Sequence, residues 1–257
     1  MGLENSKYLD NVAIVLVDPS HIGNIGSAAR AVKTMGIYDL RIVTDKEVIT
    51  PESLSLSKTA RDVLENAKVF KSLDDALADV TLVAGTSARE RSIQLPLYQP
   101  KEAVEKISEH VFLDQKCAII FGRERSGLTN EELQRCDIHI NIDANPEYTS
   151  LNLAMSVQVL SYELRQKIVT SSLPKPSVNV EYLRKPTHDE VEAYYNFIEK
   201  QLLECGFLKD GHNGKVMGQI RRVYAKADLT YHELRILYGT LASMIKHNPN
   251  SSKDKEE

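Results

Sequence analysis

The chain has 257 residues, of which 42% are hydrophobic and 26% charged, with a formal net charge of −4. These values suit one large globular domain or a domain with an appendage, and they exclude a global polycation, although a local basic patch needs no overall positive charge. No apolar run reaches the ~20 residues of a membrane span and the N-terminus has no signal-peptide core, so a cytoplasmic protein is expected.

Taken in chain order, the first two-thirds alternate short apolar runs with helical patterns. VAIVLV (12–17) reads as a strand, followed by the polar segment NIGSAAR (24–30) and a helix over 24–35. LRIV (40–43) is the next strand, then a helical stretch around 56–66 and the weak strand KVF (68–70). SLDDALAD (72–79) reads as a capped helix, TLVAGT (81–86) as a strand and 100–110 as a helix. CAIIF (117–121) leads into FGRERSGLTNEEL (121–133), and IHINI (138–142) into NPEYTSLNLAMSVQVL (145–160). Leu153, Val157, Leu160, Leu164 and Ile168 make an apolar helical stripe across 150–168, for which Ser150 is a candidate N-cap. The pattern predicts an α/β domain over 1–169 with a mainly parallel sheet covered on both faces.

Pro174, Pro176 and Pro186 mark 170–187 as a linker. Thr187 is placed to cap a helix over 188–204, and two more helices follow near 215–227 and 230–247. Residues 188–248 are therefore expected to form a small helical C-terminal domain, and 249–257 a disordered tail. At about 100° per residue, Lys215, Arg222 and Lys226 share one side of the 215–227 helix. Val216, Met217, Ile220, Val223 and Tyr224 share the other. The basic side reads either as a solvated face or as a track for phosphates.

Strand, polar loop, helix is the arrangement that places a ligand at the carboxyl edge of a parallel sheet. Arg30, Arg89, Arg91, Arg123 and Arg125 lie in or near such loops, which suggests polyanion recognition beside a small-molecule pocket. Familiar nucleotide fingerprints fail. Gly23-Asn24-Ile25-Gly26 is not G-x-G-x-x-G, and after Gly122 and Gly127 the pair Leu128-Thr129 stands where a P-loop has Lys-Ser/Thr, so the lysine is missing. Cys117, Cys136 and Cys205 have no metal-ligand spacing, and Cys117 and Cys136 are expected to be buried. What remains is a set of small-residue loops able to present backbone N–H and C=O groups.

These segments resemble the three motifs of SPOUT-class RNA methyltransferases: Asn24-Ile25-Gly26 with Arg30, FGRERSGL, and NPEYTSLNLAMSVQVL. The segment GFLKDGHNGKVMGQIRRVYAKADLTYHELRILYGTLASM resembles the C-terminal domain of the subgroup that methylates the ribose 2′-oxygen of cytidine or uridine 32 in the tRNA anticodon loop. The resemblance implies a trefoil-knotted sheet, S-adenosylmethionine as cofactor, tRNA as substrate, a homodimer and no metal. It assigns the cofactor to Thr86, Ser87 and Ala88, then Gly122, then Ile142, then Thr149, Ser150 and Leu151. It implies catalytic roles for Arg30 and Asn24. Arginine is too basic to act as a proton acceptor, so phosphate orientation is the role expected of Arg30. Of Arg123 and Arg125, one would pair with Glu124 and the other would face RNA. Glu124 could instead accept backbone N–H bonds, Asn145 could hold the third loop, Asn152 could reach the first motif, and Tyr148 could stack on a base.

Overall fold

A computed structural model describes residues 4–87, 96–145, 147, 150–171, 180–209 and 213–246. Ala88, Arg89, Arg91, Tyr148, Thr149, most of the expected linker and the expected tail lie outside these residues. The chain divides into two compact units, Met1–Lys175 with Thr187–Asp189, and Pro176–Pro186 with Glu190–Glu257.

In the first unit a 3-10 helix (Glu4–Asn11) leads into β1 (Val12–Val17), α1 (Ile22–Met35) and β2 (Asp39–Val43). Next come α2 (Pro51–Ser57), a 3-10 turn (Lys58–Ala60), α3 (Arg61–Glu65), β3 (Lys68–Phe70), α4 (Leu73–Leu77) and β4 (Leu82–Thr86). The unit continues through β5 (Leu97–Tyr98), α5 (Pro100–Val111), β6 (Cys117–Phe121), α6 (Asn130–Leu133), β7 (Ile138–Ile140) and α7 (Leu153–Thr170). The seven strands form one sheet in the order β3-β2-β1-β6-β4-β7-β5, and every pairing is parallel.

The unbroken apolar run of β1 is explained by burial on both faces. Val12, Ile14 and Leu16 enter a core with α1, α5 and α7, while Ala13, Val15 and Val17 enter a second core with α4, Leu133 and Cys136. Cys117 and Cys136 are buried as expected, and burial pushes both thiols up.

Two local expectations need correction. The helical stretch around 56–66 is two helices, broken at Lys58, whose backbone lies at φ 49° and ψ −116°. The earlier of the two starts at Pro51, capped by Thr50, whose side chain accepts from Ser53 N. The N-cap of α7 is Asn152 rather than Ser150, because Asn152 Oδ1 accepts from Ala154 N at 2.9 Å and from Met155 N. Finally, β5, α6 and the 3-10 helix at Glu4–Asn11 carry no periodicity long enough to predict.

The second unit contains most of α8 (His188–Glu204), with α9 (Asn213–Ala227), α10 (Tyr231–Lys246) and a 3-10 turn (Val180–Leu183). Its core is built from Tyr194, Tyr195, Ile198, Leu208, Met217 and Leu234. Lys215 and Lys226 are exposed and Arg222 is half-buried. Val223 does not join the apolar side: it is 64% exposed, because it sits at the edge of the stripe. Arg221 belongs to neither stripe. It pairs with Glu192 and lies over the Tyr195 ring at 4.4 Å from the centroid.

Candidate active site at the carboxyl edge of the sheet

Because all the strands are parallel, the segments that follow β1, β4, β6 and β7 emerge on one edge, and β6, β4 and β7 are neighbours. Local bonds tie these exits together. Thr86 Oγ1 donates to Ile120 O at 2.9 Å, and Ser87 N donates to Ile140 O at 3.0 Å. Thr86, Ser87, Gly122 and Ile142 are thereby gathered on one edge, all partly buried. Ser150 and Leu151 lead into α7, Ser150 exposed and Leu151 half-buried.

The loop after β6 closes tightly. Arg123 and Gly127 exchange backbone hydrogen bonds, at 2.8 Å from Gly127 N to Arg123 O and 3.3 Å in the other direction. Gly127 turns the chain at φ 68°. A Cβ on Gly122 would lie 2.2 Å from both Gly127 C and Leu128 N, so only glycine fits there.

Glu124 is the hub of the site. Its carboxylate accepts from Ser20 N (2.9 Å), His21 N (3.2 Å) and Asn24 Nδ2 (2.9 Å). Burial raises its pKa, but these hydrogen bonds prevail and hold it down to about 2. Asn24 Oδ1 accepts from Asn152 Nδ2 at 2.9 Å. Asn152 Oδ1 in turn caps α7. One chain of hydrogen bonds therefore links the loop after β1, the loop after β6 and the start of α7. Of the roles weighed for Glu124, the geometry selects anchoring of backbone N–H groups. Asn145 Oδ1 accepts from Glu147 N at 3.1 Å, a local turn within the third segment.

The arginines divide sharply. Arg123 does not pair with Glu124; it bonds Asp18 at 3.3 Å and both carboxylate oxygens of Glu132 at 3.0 Å. It is thus committed inside the protein, against the expectation that it might face RNA. Glu124 is turned toward the loop after β1, and Glu132, on α6, is too far along the chain for a local pattern to reveal. Arg125 and Arg30 are exposed, and among the described residues neither forms an ion pair. Arg30 lies more than two turns into α1, and its own carbonyl accepts from Thr34 Oγ1. Asn24 sits one turn and a half before it on the same helix, with both side-chain polar atoms already engaged. Sequence reasoning missed Asp18 and Glu132 as the partners that retire Arg123.

Comparison with known proteins identifies the family. Residues 11–162 match the SpoU rRNA Methylase family, and residues 189–255 match the tRNA methyltransferase TrmJ, C-terminal domain. The chain is 44% identical over 241 residues to the tRNA (cytidine/uridine-2′-O-)-methyltransferase TrmJ of Citrobacter koseri, covering 93% of this chain and 98% of the relative. The TrmJ of Escherichia coli K12 is also 44% identical, with 93% and 97% covered. Among solved structures, TrmJ from Z. mobilis ZM4 superposes with a TM-score of 0.77 at 29% identity, covering 91% of this chain and 98% of that one. A probable methylase family protein from Haemophilus influenzae Rd KW20 gives 0.61 at 45% identity, with 93% and 97% covered. A locked three-loop edge, two uncommitted arginines and near full-length similarity to these methyltransferases lead to one assignment: the chain belongs to the SpoU methylase family and groups with its TrmJ members.

Proposed function

We propose that this protein transfers a methyl group from S-adenosylmethionine to the ribose 2′-oxygen of a cytidine or uridine in tRNA, with nucleotide 32 of the anticodon loop as its target. The observation that carries the reading is the uncommitted Arg30 guanidinium on a helix whose start is pinned by Glu124 and, through Asn24, to the N-cap of α7.

The donor set fits the cofactor. Thr86, Ser87, Gly122, Ile142, Ser150 and Leu151 offer hydroxyls and backbone groups without a cationic side chain, which suits an adenine and a sulfonium. Ala88 and Thr149 complete the set by family resemblance. When bound, S-adenosylmethionine supplies an electrophilic methyl group on sulfur. The protein's residues position the acceptor. Arg30 takes a phosphate beside the target ribose in a bidentate contact, which orients the 2′-oxygen and stabilises the charge developing on it. Held by that set, the cofactor would supply the methyl group to the oriented 2′-oxygen, whose proton would leave to a phosphate oxygen or water. Asn24 acts as a positioning residue, since its amide is spent on Glu124 and Asn152. Arg125 and the exposed Lys215 and Lys226 add sequence-independent phosphate contacts.

The same reading includes a trefoil knot that places α7 against the cofactor loops, the domain limits expected from the sequence, a cytoplasmic location, and a homodimer. Met155 and Tyr162, two turns apart on α7, are 63% and 48% exposed and form a natural apolar contact for a second copy. Sedimentation of wild type and Met155→Asp would read a dimer and its loss; a monomeric wild type rejects that part.

The deciding experiment is methyl transfer from labelled S-adenosylmethionine to bulk tRNA and to ribosomal RNA, followed by nuclease mapping. Label at nucleotide 32 of tRNA is expected. Label only in ribosomal RNA, or none, overturns the substrate.

A further inference from the structure

The break at Lys58 has a position as well as a conformation. Gly26 of α1 is packed so closely that a Cβ there would lie 3.0 Å from Leu56 C and from Ser57 N. Seven residues on, Lys33 Nζ donates to Thr59 O at 2.7 Å and to Asp62 at 2.6 Å. Residue 57 thus lies beside Gly26 and residue 59 is tied to Lys33, so Lys58 runs alongside the stretch of α1 that carries Arg30. On a helical wheel Gly26, Arg30 and Lys33 fall within about 60° of one another.

Lys58 holds φ 49° and ψ −116°, a conformation that a residue with a Cβ rarely adopts. A glycine would relieve it. The side chain is exposed, and among the described residues it makes no ion pair. Its neighbouring cations are already in use: Lys33 pairs with Asp62 and Arg61 with Glu65. Among the described residues, Arg30 and Lys58 are therefore cations on this flank of α1 without an ion pair.

We propose that Lys58 is a positioning residue for the RNA: it binds a backbone phosphate neighbouring the one held by Arg30, and the two cations fix the register of the strand over the site. This rests on the function proposed above. Strain retained where glycine would fit suggests that the charge, not the backbone, is what the position keeps.

The test uses the full-length protein with Lys58→Gly and Lys58→Arg. Transfer RNA binding is titrated across salt concentrations with S-adenosylhomocysteine present, and methyl transfer is measured alongside. Lys58→Gly should melt higher than wild type, since it relieves the positive φ. It should nonetheless bind tRNA roughly fivefold more weakly at ~0.15 M salt, with a salt slope shallower by about 0.7–0.9. KM for tRNA should rise, and the larger share of the loss in kcat/KM should fall on KM rather than on kcat. Lys58→Arg should restore both affinity and slope. An unchanged slope in Lys58→Gly overturns the proposal, whether or not affinity falls, because a structural role would not move the slope. If wild type transfers no methyl group while Lys58→Gly still shows the shallower slope, the proposed function is rejected and the phosphate contact stands.

Discussion

The two edges of the sheet use charge in opposite ways. At the amino edge Arg41, only 2% exposed, is saturated: it bonds Asp39 and Asp79 through both carboxylates and Ala76 O at 2.7 Å, with Lys116 and Lys68 closing the network. Burial lowers its pKa, but the two carboxylates prevail and raise it. At the carboxyl edge the saturated group is an acid, Glu124, held by neutral donors, and the cations Arg30 and Arg125 are left open to solvent. A buried ion network that satisfies itself has nothing to offer a ligand. An anchored acid that takes neither Arg30 nor Arg125 as a partner leaves the edge receptive to a polyanion.

The largest test of that contrast is Arg41→Ala. Removing one partner from a buried network should cost about 3–5 kcal/mol of stability. Denaturant melts check this, and activity per folded molecule should hold. Arg30→Ala should do the reverse. Methyl transfer should fall on the order of 10²-fold, about 2.7 kcal/mol in the barrier, with melting temperature and cofactor affinity unchanged. Single-turnover rates and calorimetry with S-adenosylhomocysteine are the readouts. A folded variant that has lost cofactor binding would move Arg30 into the cofactor pocket.

Glu124 connects the two behaviours through pH. Its folded pKa is depressed, so its stabilisation is fully present above the unfolded carboxylate range near 4.5 and is lost as pH falls toward about 2. The stability gap between wild type and Glu124→Gln should therefore narrow across that window in urea melts from pH 6 to pH 3. A constant gap would mean that the carboxylate charge is not what holds the loop. The smallest effect is expected from Lys215→Ala with Lys226→Ala. Each lost phosphate contact should make the salt dependence of tRNA binding shallower by roughly 0.7–0.9, with no change in kcat. An unchanged slope would make that side of α9 a solvated face.

Much of this was legible in the sequence, for physical reasons that differ by element. β1 and β6 are buried on both faces and read as unbroken apolar runs. β5 is two residues at a sheet edge after Pro96, too short for any period. The stretch 56–66 keeps a helical pattern, and the break at Lys58 depends on how closely Gly26 lets another backbone approach, a tertiary fact. At the site, the polar segments stand out because they follow apolar strands, and the family resemblance then points within them to Asn24, Arg30, Glu124 and Asn152. The commitment of Arg123 to Asp18 and Glu132 does not, since those partners lie 105 and 9 residues away. Thr149, Ser150 and Asn152 are all competent caps on paper. Asn152 is the one whose other amide atom bonds Asn24.

The hydrogen-bonded chain through Asn24 also has a schedule. Its links join residues 100 and 128 positions apart, and β1 itself pairs with β6, more than a hundred residues downstream. At roughly 5–20 residues per second, the ribosome delivers Asn152 on the order of ten seconds after Asn24. During that interval α1 and its arginine exist without a partner loop to hold them. The nascent chain, emerging beside a crowd of tRNA, therefore has no assembled site with which to trap one; binding competence arrives late and all at once.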